Sequence, residues 1–299
     1  MQMTALFSWN QCKHFIFLLI AALPICLRSE EGLPLYYWQQ QKFVNFGDYL
    51  SLKIVERIVG GPVKVFIRHP KNKDKKLLAL GSLMSFAADG DVIWGTGVNG
   101  KLPKKESYAF THLDIRAVRG PLTRQFLMET FQIEAPEIYG DPALLIPYLF
   151  PEFKRSENPS YDFIIIPHYS ELHFFPKEIF PNAVYATDPW DEVIRKICDS
   201  RFVISSSLHG IVVAEAFGIP ARMLRLTETE PLFKYFDYYA GTNRPDFQFA
   251  YSVEEALMMG GEKPCECDLM KLYNAFPFEF WPNARFENPP LEAVAKLPL

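Results

Sequence analysis

An α/β fold, built as two Rossmann-like, doubly wound domains facing one another across a cleft, is what this chain of 299 residues predicts. Three observations carry the prediction. Short apolar runs recur along the chain, most of them lead into a helical stretch, and a segment rich in proline and charge divides them into two sets. Buried strands that alternate with helices belong to parallel sheets, and open parallel sheets bind ligands beyond the carboxyl ends of their strands. Residues that follow a strand are therefore the ones to search for chemistry.

In the first set, residues 35–38 (LYYW) form a strand, and after a loop a helix covers residues 49–59, with Asp48 as its N-cap and Gly60-Gly61 as its stop. Further strands fall at residues 64–67, 77–80, 91–94 and 115–119. The last leads through Gly120 and Pro121 into a helix that reaches Met128, proline suiting its first position. Glu137-Ile138-Tyr139 then runs into Gly140-Asp141-Pro142-Ala143. Residues 150–159 (FPEFKRSENP) read as a linker, which places an N-terminal domain at 31–150 and a C-terminal domain at 151–299. The second set has strands at 163–166, 182–185 and 202–204, and helices at 191–198 and about 210–217, the latter closed by Gly218 with Pro220 beyond. The tail after Glu254 is rich in proline and aromatic residues, carries one helix near 268–274, and is expected to pack back over the domains.

Composition narrows the function. A hydrophobic share of 49% supports real cores, and 31 basic against 35 acidic residues leave a net charge of -4. That balance lacks the basic excess of a phosphate-backbone binder, so nucleic acid is not an expected partner. Lysine clusters at Lys71, Lys73, Lys75 and Lys76, and at Lys101, Lys104 and Lys105, read as solvated loops. At the N-terminus Lys13 and His14 precede the apolar residues 15–27 (FIFLLIAALPICL). That run is shorter than the ~20 residues a spanning helix needs, and Pro24 interrupts it, so residues 1–30 read as a signal peptide or short anchor. The expected location is the secretory pathway or cell envelope, with membrane association through residues 13–27 left open, or the cytoplasm if the segment is not a functional signal. Beyond it, Cys198, Cys265 and Cys267 form neither a disulfide framework nor a zinc pattern.

Several strand ends carry candidate chemistry. Gly95-Thr96-Gly97-Val98-Asn99-Gly100 fits a dinucleotide fingerprint, but Lys101, Pro103, Lys104 and Lys105 follow where the phosphate-binding helix should open, and no acidic strand end lies at the required distance. Gly95 and Gly97 are left as cleft-lining positions or turn residues. Asp48 is either a helix cap or a base for a substrate hydroxyl, and the two roles are compatible. Arg116 and Arg119 flank the end of a strand just before a helix. Arg119, nearer the loop, is the better anion clamp, the alternative being a salt bridge to an acid of the other domain. His168 closes the strand IIIPH with Glu171 and His173 nearby, a spacing that is not a standard metal pattern, so it reads as a substrate contact or a plain loop histidine. His209 sits where a strand ends and a helix begins, after the hydroxyls of Ser205, Ser206 and Ser207. Helix-end amides there could cradle an anion whose charge favours a proton-donating imidazole. A serine-hydrolase reading of SSSLHG finds neither an aspartate partner nor a nucleophile elbow.

Taken in order, NFGD, WGTG, VRGPLT, GDPALLIP, IIPH and ISSSLHGIVVAEAFGIP resemble the polysaccharide pyruvyl transferase family, from about Leu35 to Arg222. The resemblance implies a GT-B-like arrangement and transfer of a pyruvyl group from phosphoenolpyruvate to the hydroxyls of a glycan sugar, forming a ketal. It implies phosphoenolpyruvate and a saccharide acceptor as partners, and no cofactor or metal. The family's essential histidine falls on His209 and its early aspartate on Asp48. The donor-binding arginine falls on Arg119, with Ser206, Ser207 and Leu208 completing the anion site. Gly95, Gly97, Arg116 and His168 are left to the acceptor or the cleft. Two other functions remain open on the same scaffold: a glycosyltransferase using a nucleotide sugar, and a secreted glycan-binding protein without turnover.

Overall fold

The computed structural model describes residues 32–40, 42–68, 74–282 and 284. The expected signal or anchor at residues 1–30, with Lys71, Lys73 and the end of the tail, lies outside the described residues. Among the described residues no helix is long and apolar enough to cross a membrane.

The N-terminal half runs β1 (Leu35–Tyr36), α1 (Phe46–Val59), β2 (Leu77–Leu78), β3 (Val92–Trp94), β4 (Asp114–Ala117) and α2 (Pro121–Phe131), followed by the short α3 (Ile146–Leu149). The C-terminal half runs β5 (Ile164–Ile166), α4 (Trp190–Cys198), β6 (Val203–Ser205), α5 (Leu208–Ala216), β7 (Ala221–Leu224), α6 (Phe233–Gly241), β8 (Phe249–Ala250), α7 (Val253–Met259) and α8 (Leu269–Asn274). Each half holds one parallel sheet, ordered β1-β2-β3-β4 and β5-β6-β7-β8. Strands β2, β3 and β5 are apolar and fully buried, as strands covered on both faces must be.

Single bridges outside these strands set the winding. Val65 pairs with Leu35 on the side of β1 away from β2, and Ala183 pairs with Ile165 on the side of β5 away from β6. In each half the chain thus steps outward from its first strand and then returns across it. The winding reverses between β1 and β2 and between β5 and β6, and a ligand crevice opens at such a reversal. The strands expected at 64–67 and 182–185 are therefore present only as these bridges.

One apolar core runs through both halves, joining Leu50, Ile54 and Ile58 of α1 to Val193 and Ile197 of α4 and to Ile211 and Val212 of α5. The segment at 150–159 takes part in it, because Phe150 and Phe153 are buried with ring centroids 5.5 and 5.7 Å from that of Trp190. Two boundaries shift from expectation. Asn45, not Asp48, caps α1, its Oδ1 accepting from the Gly47 amide at 3.0 Å, so Asp48 stands inside the first turn. Helix α5 begins at Leu208, which draws His209 into its first turn.

The tail packs back on the first sheet. The indole of Trp94, fully buried at the end of β3, donates to the Leu272 carbonyl at 2.8 Å and meets Phe276 edge-on at 4.9 Å. Replacing Trp94 by alanine is expected to cost about 3–5 kcal/mol. Urea unfolding would measure that cost, and limited proteolysis should show faster cleavage around α8.

Candidate functional site

A cavity of about 370 Å³ lies at the carboxyl ends of both sheets. Each winding reversal supplies part of its wall: Trp38, Asp48 and Ser82 from around β1 and β2, and His168, Ser207 and His209 from after β5 and β6. Helices α1 and α5 both point their N-termini at it, so first-turn amides without intrahelical acceptors, including those of Leu208 and His209, lend it positive potential.

His209 is the most tightly held of these groups. Its ring packs against the α1 backbone so closely that a Cβ on Gly47 would lie 2.2 Å from Nδ1. On its other edge Nε2 stands 3.6 Å from Oδ2 of Asp141, a carboxylate wholly cut off from solvent. Both atoms are buried without a hydrogen-bond partner among the described residues, while Asp141 Oδ1 accepts from the Ala143 amide at 2.9 Å. Two orphaned polar atoms facing each other just beyond bonding distance form a dyad that needs only a few tenths of an ångström to close. An aspartate partner for His209 therefore exists, against the sequence reading. It enters from the Gly140-Asp141-Pro142-Ala143 turn, far away in the chain.

Charge is unevenly distributed around this dyad. Burial raises the Asp48 carboxyl to about 6, an effect that Asp141 reinforces and that His209 and Lys234 oppose. At the opposite side Glu230 is gripped by Lys234 at 2.9 Å and by Lys101, which comes from the other half of the chain. Burial pushes the Glu230 carboxyl up, but the lysines outweigh it and hold the group down at about 2. Burial lowers Lys234 as well, partly offset by Glu230. His168 is lowered to about 4 by burial and by Lys234, so it is neutral near pH 7. Its Nδ1 lies 2.7 Å from the Ser170 hydroxyl.

Residues 37–226 match the family model described as polysaccharide pyruvyl transferase. The chain belongs to that family. It is 27% identical over 207 residues to uncharacterized protein L143 of Acanthamoeba polyphaga mimivirus, covering 66% of this chain and 70% of that protein. It is 29% identical over 214 residues to the succinoglycan biosynthesis protein ExoV of Rhizobium meliloti, covering 68% of this chain and 63% of that protein. A solved structure from Klebsiella pneumoniae, of uncharacterised function, aligns with a TM-score of 0.41 at 12% identity, over 76% of this chain and 96% of that one.

In this pyruvyl transferase family member the candidate residues divide into two groups. Asp48, His168, Ser207, Leu208 and His209 line the cavity. Arg119 does not: it is fully buried, donates from Nε to Asp237 at 3.0 Å, from Nη1 to the Ser82 hydroxyl at 2.9 Å and from Nη2 to the Val98 carbonyl at 2.7 Å. This is a salt bridge to an acid of the other half of the chain, and among the described residues its link to the cavity is Ser82. Arg116 lies away from the site, paired with Asp114 at 2.6 Å and with Glu279 of the tail. Ser206 is drawn off too, its hydroxyl accepting from the His168 amide at 2.9 Å and so tying β5 to β6. Gly95 and Gly97 are packing positions, the first against Pro142 and the second against the Arg119 guanidinium. Glu171 accepts from the Thr227 hydroxyl at 2.7 Å, and His173 stacks beside Phe174, so neither joins His168.

Asp141, Lys101, Glu230 and Lys234 were missed as site residues. Gly140-Asp141-Pro142 was visible as a motif, whereas Glu230 and Lys234 stand in a stretch without a motif. Gly47→Ala is expected to drive His209 off Asp141 and to abolish activity. A shift of the His209 ring resonances in NMR spectra, with the thermal unfolding midpoint changed far less than by Trp94→Ala, would confirm the cause.

Proposed function

We propose that the protein transfers the pyruvyl group of phosphoenolpyruvate to hydroxyls of a saccharide, forming a ketal. The observation that carries this reading is the His209–Asp141 dyad opening onto a cavity that also holds two lysines and two helix N-termini. The family match and the succinoglycan biosynthesis relative support a role in glycan modification, in keeping with an exopolysaccharide or cell-envelope product.

The chemistry divides among the residues as follows. The donor's carboxylate and phosphate take the place of the Glu230 carboxylate between Lys101 and Lys234, with Ser207 and the first-turn amides of α5 as further donors. His209, oriented by Asp141, protonates the methylene carbon of the enol. The adjacent carbon becomes oxocarbenium-like, and a saccharide hydroxyl attacks it while Asp48 takes the hydroxyl proton. The carbon–oxygen bond to phosphate then breaks, with the electron pair and the Asp48 proton leaving on phosphate. A second hydroxyl closes the ketal and returns its proton to His209. No residue keeps a net proton, and one phosphate is released for each ketal formed.

Phosphate release from phosphoenolpyruvate with a panel of glucosides, galactosides and mannosides tests the reading, with acceptor mass as the second readout. His209→Ala should lower turnover by at least about 100-fold and retain donor binding. Absence of phosphate release with every acceptor, together with no donor binding, would overturn the proposal. Nucleotide release from a nucleotide sugar instead would favour the glycosyltransferase alternative.

Asp48 sets the pH response. A base raised to about 6 must lose its proton to act, so turnover should climb as pH passes through about 6. Its folded value lies above the unfolded one, so the fold binds the proton more tightly. The stability that this contributes is present below pH 4 and is lost as pH rises through about 6. Asp48→Asn should therefore raise the thermal unfolding midpoint at pH 8 while removing turnover, which differential scanning calorimetry and the phosphate assay would show together.

A further inference from the structure

The cavity has two unlike kinds of lining, and the charged groups account for only one substrate. A small dianion held between Lys101 and Lys234 has no use for an apolar wall, which offers it only desolvation. Yet the cavity is also lined by Trp38, Phe86, Leu102, Tyr108 and Tyr169. Trp38 follows β1 and Tyr169 follows β5, so the two halves each contribute one ring. The rings stand 5.4 Å apart at an interplanar angle of 41°, with Phe43 backing Tyr169 at 5.7 Å. This is an open V with neither ring stacked flat on the other, and both rings are only half-buried. Tyr36, itself buried, meets Phe86 at 5.4 Å and extends the same wall.

We propose that the Trp38–Tyr169 wall is the acceptor subsite, taking the apolar ring face of a neutral pyranoside. The assignment rests on the pyruvyl transfer reading. A pyranose presents carbon-bound hydrogens on its faces and hydroxyls around its rim, so stacking on an aromatic wall leaves the rim free for chemistry. The position of Asp48 fits that division. Its carboxylate acts electrostatically on Tyr36, on Tyr169 after the stronger influences of Lys101 and Glu230, and on His209. Asp48 shares the cavity with this wall and with His209, as a base serving a rim hydroxyl must. Among the described residues Lys101 and Lys234 are engaged by Glu230 and Arg68 stacks on Phe86 at 5.1 Å, so no cation without a partner lines the cavity to call for an acidic sugar.

Saturation-transfer NMR on the full chain, without donor, tests the assignment with methyl β-D-glucopyranoside and methyl β-D-galactopyranoside as probes and sorbitol as the acyclic control. Protons 1, 3 and 5 share one ring face in both glycosides, and saturation should favore that set over the rim-adjacent methyl protons. The effect should vanish in Trp38→Ala and Tyr169→Ala and persist in Trp38→Phe, which keeps a ring. In steady-state assays Trp38→Ala should raise the acceptor KM roughly tenfold with donor KM unchanged. Transfer equal in wild type and both alanine variants, or equal for sorbitol, or none to either glycoside, would overturn the subsite. Glycoside stacking on Trp38 without phosphate release would leave the subsite standing and remove the donor assignment. Phosphate release with an unaltered acceptor KM in Trp38→Ala would do the reverse.

Discussion

A buried guanidinium–carboxylate pair holds the two halves in the relation that the site requires. Arg119, at the end of the first sheet, and Asp237, on α6, are both wholly excluded from water. Their contact alone would not repay the desolvation of two charges. The remaining groups are satisfied by neighbours: Asp237 also accepts from the Thr123 amide at 2.8 Å and hydroxyl at 2.6 Å, at the start of α2. Arg119 also bonds Ser82 and Val98. Because α6 carries Lys234 on its preceding turn, fixing Asp237 fixes the position of a cavity lysine. An arginine that looks from sequence like an anion clamp thus acts, in the fold, as the post that positions a cavity lysine.

The same logic extends to His209. Its place in the first turn of α5 would leave it free to swing, but Gly47 closes one side and Asp141 the other. These neighbours come from α1 and from the turn before α3, so the orientation of one imidazole depends on three separated segments. Burial does the electrostatic work around it. It raises the Asp48 carboxyl to about 6 and keeps His168 neutral, while Lys101 and Lys234 hold the Glu230 carboxylate down against the same burial.

Much of this was legible in the chain. The all-isoleucine strand β5, the glycine closing α1 and the proline opening α2 follow from local pattern, and so do the NFGD and SSSLHG strand ends, both of which line the cavity. What depends on packing was not legible. Helix α6 (FKYFDYYAG) is rich in aromatic residues that favour strands by propensity, and only burial of Tyr235, Tyr238 and Tyr239 makes it helical. Strand β7 was hidden by Arg222, whose charge is met inside the fold by Glu262 and by backbone carbonyls. Asp141 and His209 are separated in sequence by the first two strands of the second sheet, and Trp38 and Tyr169 by more than one hundred residues. Arg116 and Arg119 sit three residues apart in sequence yet end in unrelated places, since one extra turn of chain past β4 carries the second into the interior.

The central claim is that His209 delivers a proton to the methylene carbon of phosphoenolpyruvate before the saccharide is joined to it. The product formed in deuterium oxide tests this most directly, by mass and by proton NMR of the ketal methyl group. The account predicts one deuterium in that methyl, and no product from His209→Ala. A ketal methyl with no solvent deuterium would place the proton's origin elsewhere, and an undiminished His209→Ala would contradict the role given to the histidine.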